Sequence, residues 1–132
     1  MRTQALTVLP GRIAVCRRDP AEGVPDWFEP RPPLASLVRT DNELTLVLPE
    51  DLLADGERAE GGWRALRVEG EFELYGSFGV IAGVTSPLAA AGISLLSISS
   101  YATDYLLVQE RDLVRATQAL RDAGHDLSEA SG

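Results

Sequence analysis

One cysteine, one histidine and a shortage of bases set the first limits on this chain of 132 residues. With Cys16 alone there is no internal disulfide, and a reducing, cytoplasmic setting is expected. With His125 alone, and no cysteine or histidine cluster, zinc has no ligand set. Lys and Arg number 12 against 20 acids, for a net charge of -8. The bases are scattered, and the closest cluster is Arg17-Arg18. Neither nucleic acid nor an anionic membrane surface is therefore an expected partner. No apolar run approaches the roughly 20 residues that cross a bilayer. The opening "MRTQALTVLPGR" has neither a long apolar core nor a small-residue cleavage site, so no secretory signal is expected. No serine sits in a nucleophile-elbow pattern.

What is present is ordinary for a soluble globular chain: 45% apolar and 24% charged residues. The length suits one compact domain or two very small ones. "ALTVL" and "RIAVC" flank Pro10-Gly11 and predict a hairpin from Ala5 to Arg17. The connector after Asp19 carries Pro20, Pro25, Pro30, Pro32 and Pro33, too broken for a long helix, with Trp27 as its apolar anchor. "LASLVRT" and "ELTLVLP" predict two strands joined at Asp41-Asn42. "PEDLLADG" predicts a helix of about two turns that Gly56 ends. "GWRALRVEG" predicts a strand with Trp63, Ala65 and Arg67 on one face and Arg64, Leu66 and Val68 on the other.

The second half has longer elements. Ser77 to Ala91 predicts a helix, with Phe78, Ile81, Val84 or Thr85, and Leu88 as its apolar stripe. Ser77 is its expected N-cap, Pro87 an expected bend, and Gly92 the stop. Strands follow at Ile93–Ser99 and Tyr105–Val108. Leu113, Ala116, Thr117 and Leu120 form a second helical stripe closed by Gly124, and "HDL" reads as a short last strand. A weak internal repeat joins the halves. Thr40-Asp41 corresponds to Thr103-Asp104 at an offset of 63, while Leu46-Val47 and Asp51-Leu52 correspond to Leu107-Val108 and Asp112-Leu113 at 61.

The run "FGVIAGVTSPLAAAGISLLSISSYATDYLLVQERDL" resembles the ACT domain, in the compact double form. "LTVLPGRIAVCRR", "VPDW", "SLVRTDNELTLVLPEDL" and "GWRALRVEG" extend the resemblance over most of the chain. The fold it implies is α+β: two ferredoxin-like ACT units of the βαββαβ type packed side by side, with an antiparallel sheet and helices on one face. The expected division is residues 1–62, with short or broken helices, and 63–128, leaving 129–132 as a tail. The resemblance also implies a regulatory, non-catalytic protein that binds an amino acid or similar small ligand. No cofactor is expected, and exposed sheet faces or edges point to a homodimer. The expectation from another class is an interaction module that forms a homodimer around a vestigial pocket.

An amino acid presents two poles, and two places in the chain answer them. A helix starting within "YGSFGVIAG" offers unpaired N–H groups to a carboxylate, which points to Ser77, Phe78, Gly79 and Val80. The polar break before the last long strand offers Asp104 to an ammonium, with Ser99, Ser100 and Thr103 as hydrogen-bonding partners. The structural alternatives are a plain strand-to-helix turn and an Asp that bonds its own backbone. Tyr101 is expected to cover a sheet edge. In the arginine-sensing proteins that the chain resembles, an acid stands just before the x-Gly of the helix start; here Ser77, which is neutral, precedes Phe78-Gly79, so a smaller or neutral ligand is as open as arginine.

Enzyme chemistry has thin support. Cys16 and His125 are one possible nucleophile and base, but Cys16 ends an apolar strand and His125 follows a helix-ending glycine. Glu69, Glu71 and Glu73 alternate along a strand, as a solvated face or a hard-cation site would. Glu50 and Asp51 sit where a helix dipole favours acids.

Overall fold

The structure, a computed structural model, describes residues 3–70 and 79–130. The chain divides into two compact units: a central one, Gly11–Trp63, and a C-terminal one made of Met1–Pro10 and Arg64–Gly132. The first ten residues thus go with the C-terminal unit, where the sequence places them in the N-terminal one. The cause is the first strand, β1 (Ala5–Val8), which pairs with residues 66–68 on one side and residues 126–129 on the other.

The C-terminal unit holds β1, the second part of β5 (Ala59–Val68), α1 (Val80–Ala90), β6 (Leu95–Ser99), β7 (Asp104–Gln109), α2 (Leu113–Asp122) and β8 (Asp126–Glu129). From β5 onward this is a βαββαβ order. The strands lie as β6-β7-β5-β1-β8. β6 and β7 pair antiparallel, as do β5 and β1, while β1 and β8 run parallel from Ala5↔Asp126 to Val8↔Glu129. Alternation along the strands puts Leu6 and Val8, Leu66 and Val68, Leu106 and Val108 in one core with Val84 and Leu88 of α1 and Ala116 and Leu120 of α2. Both helices therefore cover the same sheet face. Each fully buried leucine there contributes roughly 1.5–3 kcal/mol.

The central unit holds β2 (Ile13–Arg18), β3 (Ser36–Arg39), β4 (Leu44–Pro49) and the start of β5. Its strand order, β3-β4-β2-β5, is that of a ferredoxin-like sheet with the helices left out. Ala14, Cys16, Leu44, Leu46 and Leu48 form its core, over which Trp27, Phe28, Leu52 and Leu53 pack. Trp27 also donates through Nε1 to Glu57 (3.3 Å), the carboxylate that meets Arg18 at 2.7 Å. The proline-rich connector is braced by Asp19, which accepts from the Ala21 amide, while Glu22 accepts from the Asp19 amide.

Three expectations for these elements are corrected. The hairpin from Ala5 to Arg17 does not form: β1 and β2 both run antiparallel to β5, hence in the same direction, which a hairpin cannot do. The ten residues of β5 accommodate both, through Leu6↔Val68 and Ile13↔Trp63. The two-turn helix at Pro49–Gly56 is a single 3-10 turn, Glu50–Leu52, and Leu53 is already extended. Seven residues are too few to repay helix nucleation, and Leu52 and Leu53 go instead to the core. In α1 the buried stripe is Val80, Val84 and Leu88, at i, i+4 and i+8, and Ile81 is 39% exposed.

Candidate functional site

The polar break between β6 and β7 is a turn closed by hydroxyls. Ser100 donates from its backbone to the Thr103 carbonyl (2.8 Å), and its Oγ both donates to that carbonyl (3.1 Å) and accepts from the Thr103 amide (3.3 Å). A side chain thus performs the work that Asn-Gly does in other hairpins. The central unit contains the same device. Thr40 donates from its backbone to the Glu43 carbonyl (2.9 Å), and its Oγ1 accepts from the amides of Asn42 (3.2 Å) and Glu43 (3.1 Å). The two turns are 60 residues apart, as are β4 and β7. The structural partner of Thr40 is accordingly Ser100, where the sequence repeat pairs it with Thr103; the hydroxyl that closes the turn decides the alignment.

Thr103 points elsewhere, donating through Oγ1 to the Val68 carbonyl at the end of β5. Beside the turn, Ser99 and Asp104 form a cross-strand pair, and Ser99 Oγ donates to Asp104 Oδ1 at 2.5 Å. Among the described residues no basic side chain forms an ion pair with Asp104. Among the described residues the side-chain partner of this carboxylate is thus the neutral Ser99 hydroxyl. Tyr101 stands at the tip, 81% exposed.

The start of α1 lies at the same end of the unit. Ala5, at the start of β1, accepts from the Glu69 amide just past β5. Asp126 pairs with Ala5, and the preceding His125 reaches Gly83 in the first turn of α1 at 2.8 Å. The end of β5, the β6–β7 turn and the first turn of α1 thus share one rim. Gly79 occupies the N-cap position with φ +73, a backbone conformation glycine adopts without strain. Its carbonyl accepts the first helical bond from Gly83 (2.9 Å), and among the described residues no side chain caps it. Val80 buries its side chain in the core, so it can offer a ligand only its backbone.

Of the residues singled out from sequence, Ser77 and Phe78 lie outside the described residues, as do Glu71 and Glu73. The structure brings Ser99, Ser100, Thr103 and Asp104 into one turn, with Ser100 and Thr103 already committed to backbone partners. Glu69 bonds Thr7 Oγ1 (2.7 Å) and Arg67 Nε (2.8 Å). Burial pushes its carboxyl up, but the Thr7 hydroxyl and the Arg67 guanidinium outweigh that and hold it below the ordinary value. Cys16 is a buried thiol pushed upward, first by burial and then by Glu57. Among the described residues no three His, Cys, Asp or Glu side chains gather as a metal site, and no helix is long and apolar enough to cross a membrane. His125, passed over in sequence as a plain residue after a helix, is buried at 3% exposure; only its position just after Gly124 could have signalled this.

Residues 58–122, from β5 through α2, match the family model described as ACT domain. The chain belongs to the ACT domain family. Protein Atu0741 from Agobacterium tumefaciens shares its architecture over the whole chain and 97% of its own length, with 30% identity and a TM-score of 0.91. The human protein named cytosolic arginine sensor for mTORC1 subunit 1 is 33% identical over 81 residues, 61% of this chain. That match spans about a quarter (24%) of the curated relative. The ligand-free regulatory subunit of aspartate kinase from Thermus thermophilus, at 11% identity and a TM-score of 0.59, covers 92% of this chain and 97% of its own and shares the fold. The matched stretch contains Gly79, Val80 and the whole β6–β7 turn, so the ACT signature and the candidate site coincide in sequence.

Proposed function

We propose that this ACT protein is a non-catalytic regulatory module that binds an amino acid at the rim of its C-terminal unit. The carrying observation is the Asp104 carboxylate on the same rim as the start of α1: among the described residues the one has no basic partner and the other no side-chain cap. Asp104 holds the ligand's ammonium and the amides that open α1 hold its carboxylate. Ser99 orients Asp104, while Ser100 and Thr103 fix the turn. Ser77 and Phe78, which directly precede Gly79 in sequence, complete the proposed contact set. The relatives named as an arginine sensor and as a regulatory subunit of aspartate kinase support a regulatory role. The protein works in the cytoplasm as a homodimer.

A thermal-shift panel of the twenty amino acids tests this. A ligand present at about 100 times its Kd and bound only to the folded state stabilises by about 2.7 kcal/mol, a rise of several degrees in Tm. Asp104→Ala removes the shift. A shift that survives this substitution refutes the site, and no shift with any amino acid favours the interaction module instead.

A further inference from the structure

His125 is the one buried polar or charged residue among those described, and the binding proposal gives it no task. Its backbone is held where α2 ends. Gly124, at φ +97, donates to Arg121 (2.9 Å) and His125 donates to Leu120 (3.0 Å), the paired bonds of a Schellman motif. Its ring then bridges two other elements. Nδ1 lies 3.0 Å from the backbone nitrogen of Gln4, which can only donate, so Nδ1 is the bare acceptor. The ring proton therefore sits on Nε2, which donates to the Gly83 carbonyl at 2.8 Å.

The identity of that carbonyl gives the contact its meaning. In an α-helix the carbonyl of residue 83 accepts from the amide of residue 87. Residue 87 is Pro87, inside α1, and has no N–H; its ring also crowds the carbonyl four residues back. We infer that His125 is a positioning residue that supplies the donor Pro87 lacks, closing the gap in the α1 ladder and fixing the first turn of α1 to the start of β1. That turn carries the amides assigned above to the ligand carboxylate, so the consequence for binding rests on that reading; the consequence for the helix does not.

The decisive experiment pairs His125→Phe, which keeps the ring and removes both bonds, with Pro87→Ala, which gives residue 87 an amide. In the wild type, imidazole nitrogen shifts report the Nε2–H form. In His125→Phe the hydrogen-bonded amides of residues 83–86, the first in the α1 ladder, exchange about tenfold faster, the factor set by one lost hydrogen bond of ordinary strength, while Leu46 in the central unit is unchanged. In the double variant the new amide at position 87 takes the Gly83 carbonyl and exchange slows again. If His125→Phe alone does not fold, recovery of folding by Pro87→Ala supports the same inference. An Nδ1–H ring, or a double variant no better than the single, overturns it. Titration with L-arginine and the other amino acids adds a second readout, with affinity lost in His125→Phe and recovered in the double variant. A wild-type protein that binds none of them overturns the binding proposal, while the exchange rescue still supports the role of His125.

Discussion

Gly61→Ala tests how the central unit closes, and its sign depends on a second residue. Gly61 and Gly62 lie where β5 carries an extra residue against β2, between Trp63↔Ile13 and Glu60↔Val15. Gly62, at φ +77, turns its amide to Glu50 Oε1 at 2.6 Å, while Glu50 also meets Arg12 at 3.6 Å. A Cβ on Gly61 would lie 2.0 Å from that same Oε1 and 3.0 Å from Cδ, so the carboxylate must swing away. A charge-assisted bond of this kind contributes about 1.5–3 kcal/mol, here discounted to about 1–2 kcal/mol because the Glu50 side chain is 31% exposed. Alanine restricts the unfolded chain and returns about 0.4–1 kcal/mol. Gly61→Ala therefore costs roughly 0.5–1.5 kcal/mol in the wild-type protein. In a Glu50→Ala background the obstruction is gone, and the same substitution becomes neutral or stabilising. Urea unfolding of the four proteins, with an unchanged m-value, measures the coupling. An equal cost in both backgrounds would refute this account of the bulge.

Other outcomes follow from the same geometry. Leu106→Ala, fully buried between β7 and both helices, is expected to cost about 2–5 kcal/mol in chemical denaturation. Ser100→Ala and Thr40→Ala each open one hydroxyl-closed turn at an exposed site and should cost about 0.5–1 kcal/mol, adding because the turns share no partner. The Glu69 carboxyl is held below its ordinary value, so its contribution is full above the unfolded-state value and fades as pH falls through the folded one. Stability measured from pH 6 to pH 3 should therefore fall less steeply in Thr7→Val than in the wild type.

The C-terminal unit was largely legible because its elements are long enough for periodicity to show. Val84, Leu88, Ala116 and Leu120 mark helix faces, and Gly92 and Gly124 stop the helices where sequence places the stops. The errors have particular causes. Pro10-Gly11 is a turn signal, but a turn signal does not say which strand is the partner, and β5 was long enough to take both candidates. The acids at Glu50 and Asp51 suggested a helix start, whereas Glu50 is used to hold Gly62. Ile81 and Val80 are adjacent apolar residues, and local pattern alone cannot decide which faces the sheet. The repeat was visible in sequence but misaligned by three residues at the turn, since Thr40 matches Thr103 by identity and Ser100 by role. At the site, residue types gave the hydroxyls and the carboxylate, while their division between turn closure and ligand contact required the hydrogen bonds. The tie between His125 and the carbonyl opposite Pro87 spans 42 positions and leaves no local trace.

Backbone amide shifts recorded while each amino acid is added bear most directly on the proposal that the rim grips a zwitterion at both poles. The account predicts saturable shifts concentrated at residues 79–82 and 99–104 and their loss in Asp104→Ala. Saturable binding whose shifts fall in the central unit, or that Asp104→Ala leaves intact, would contradict it.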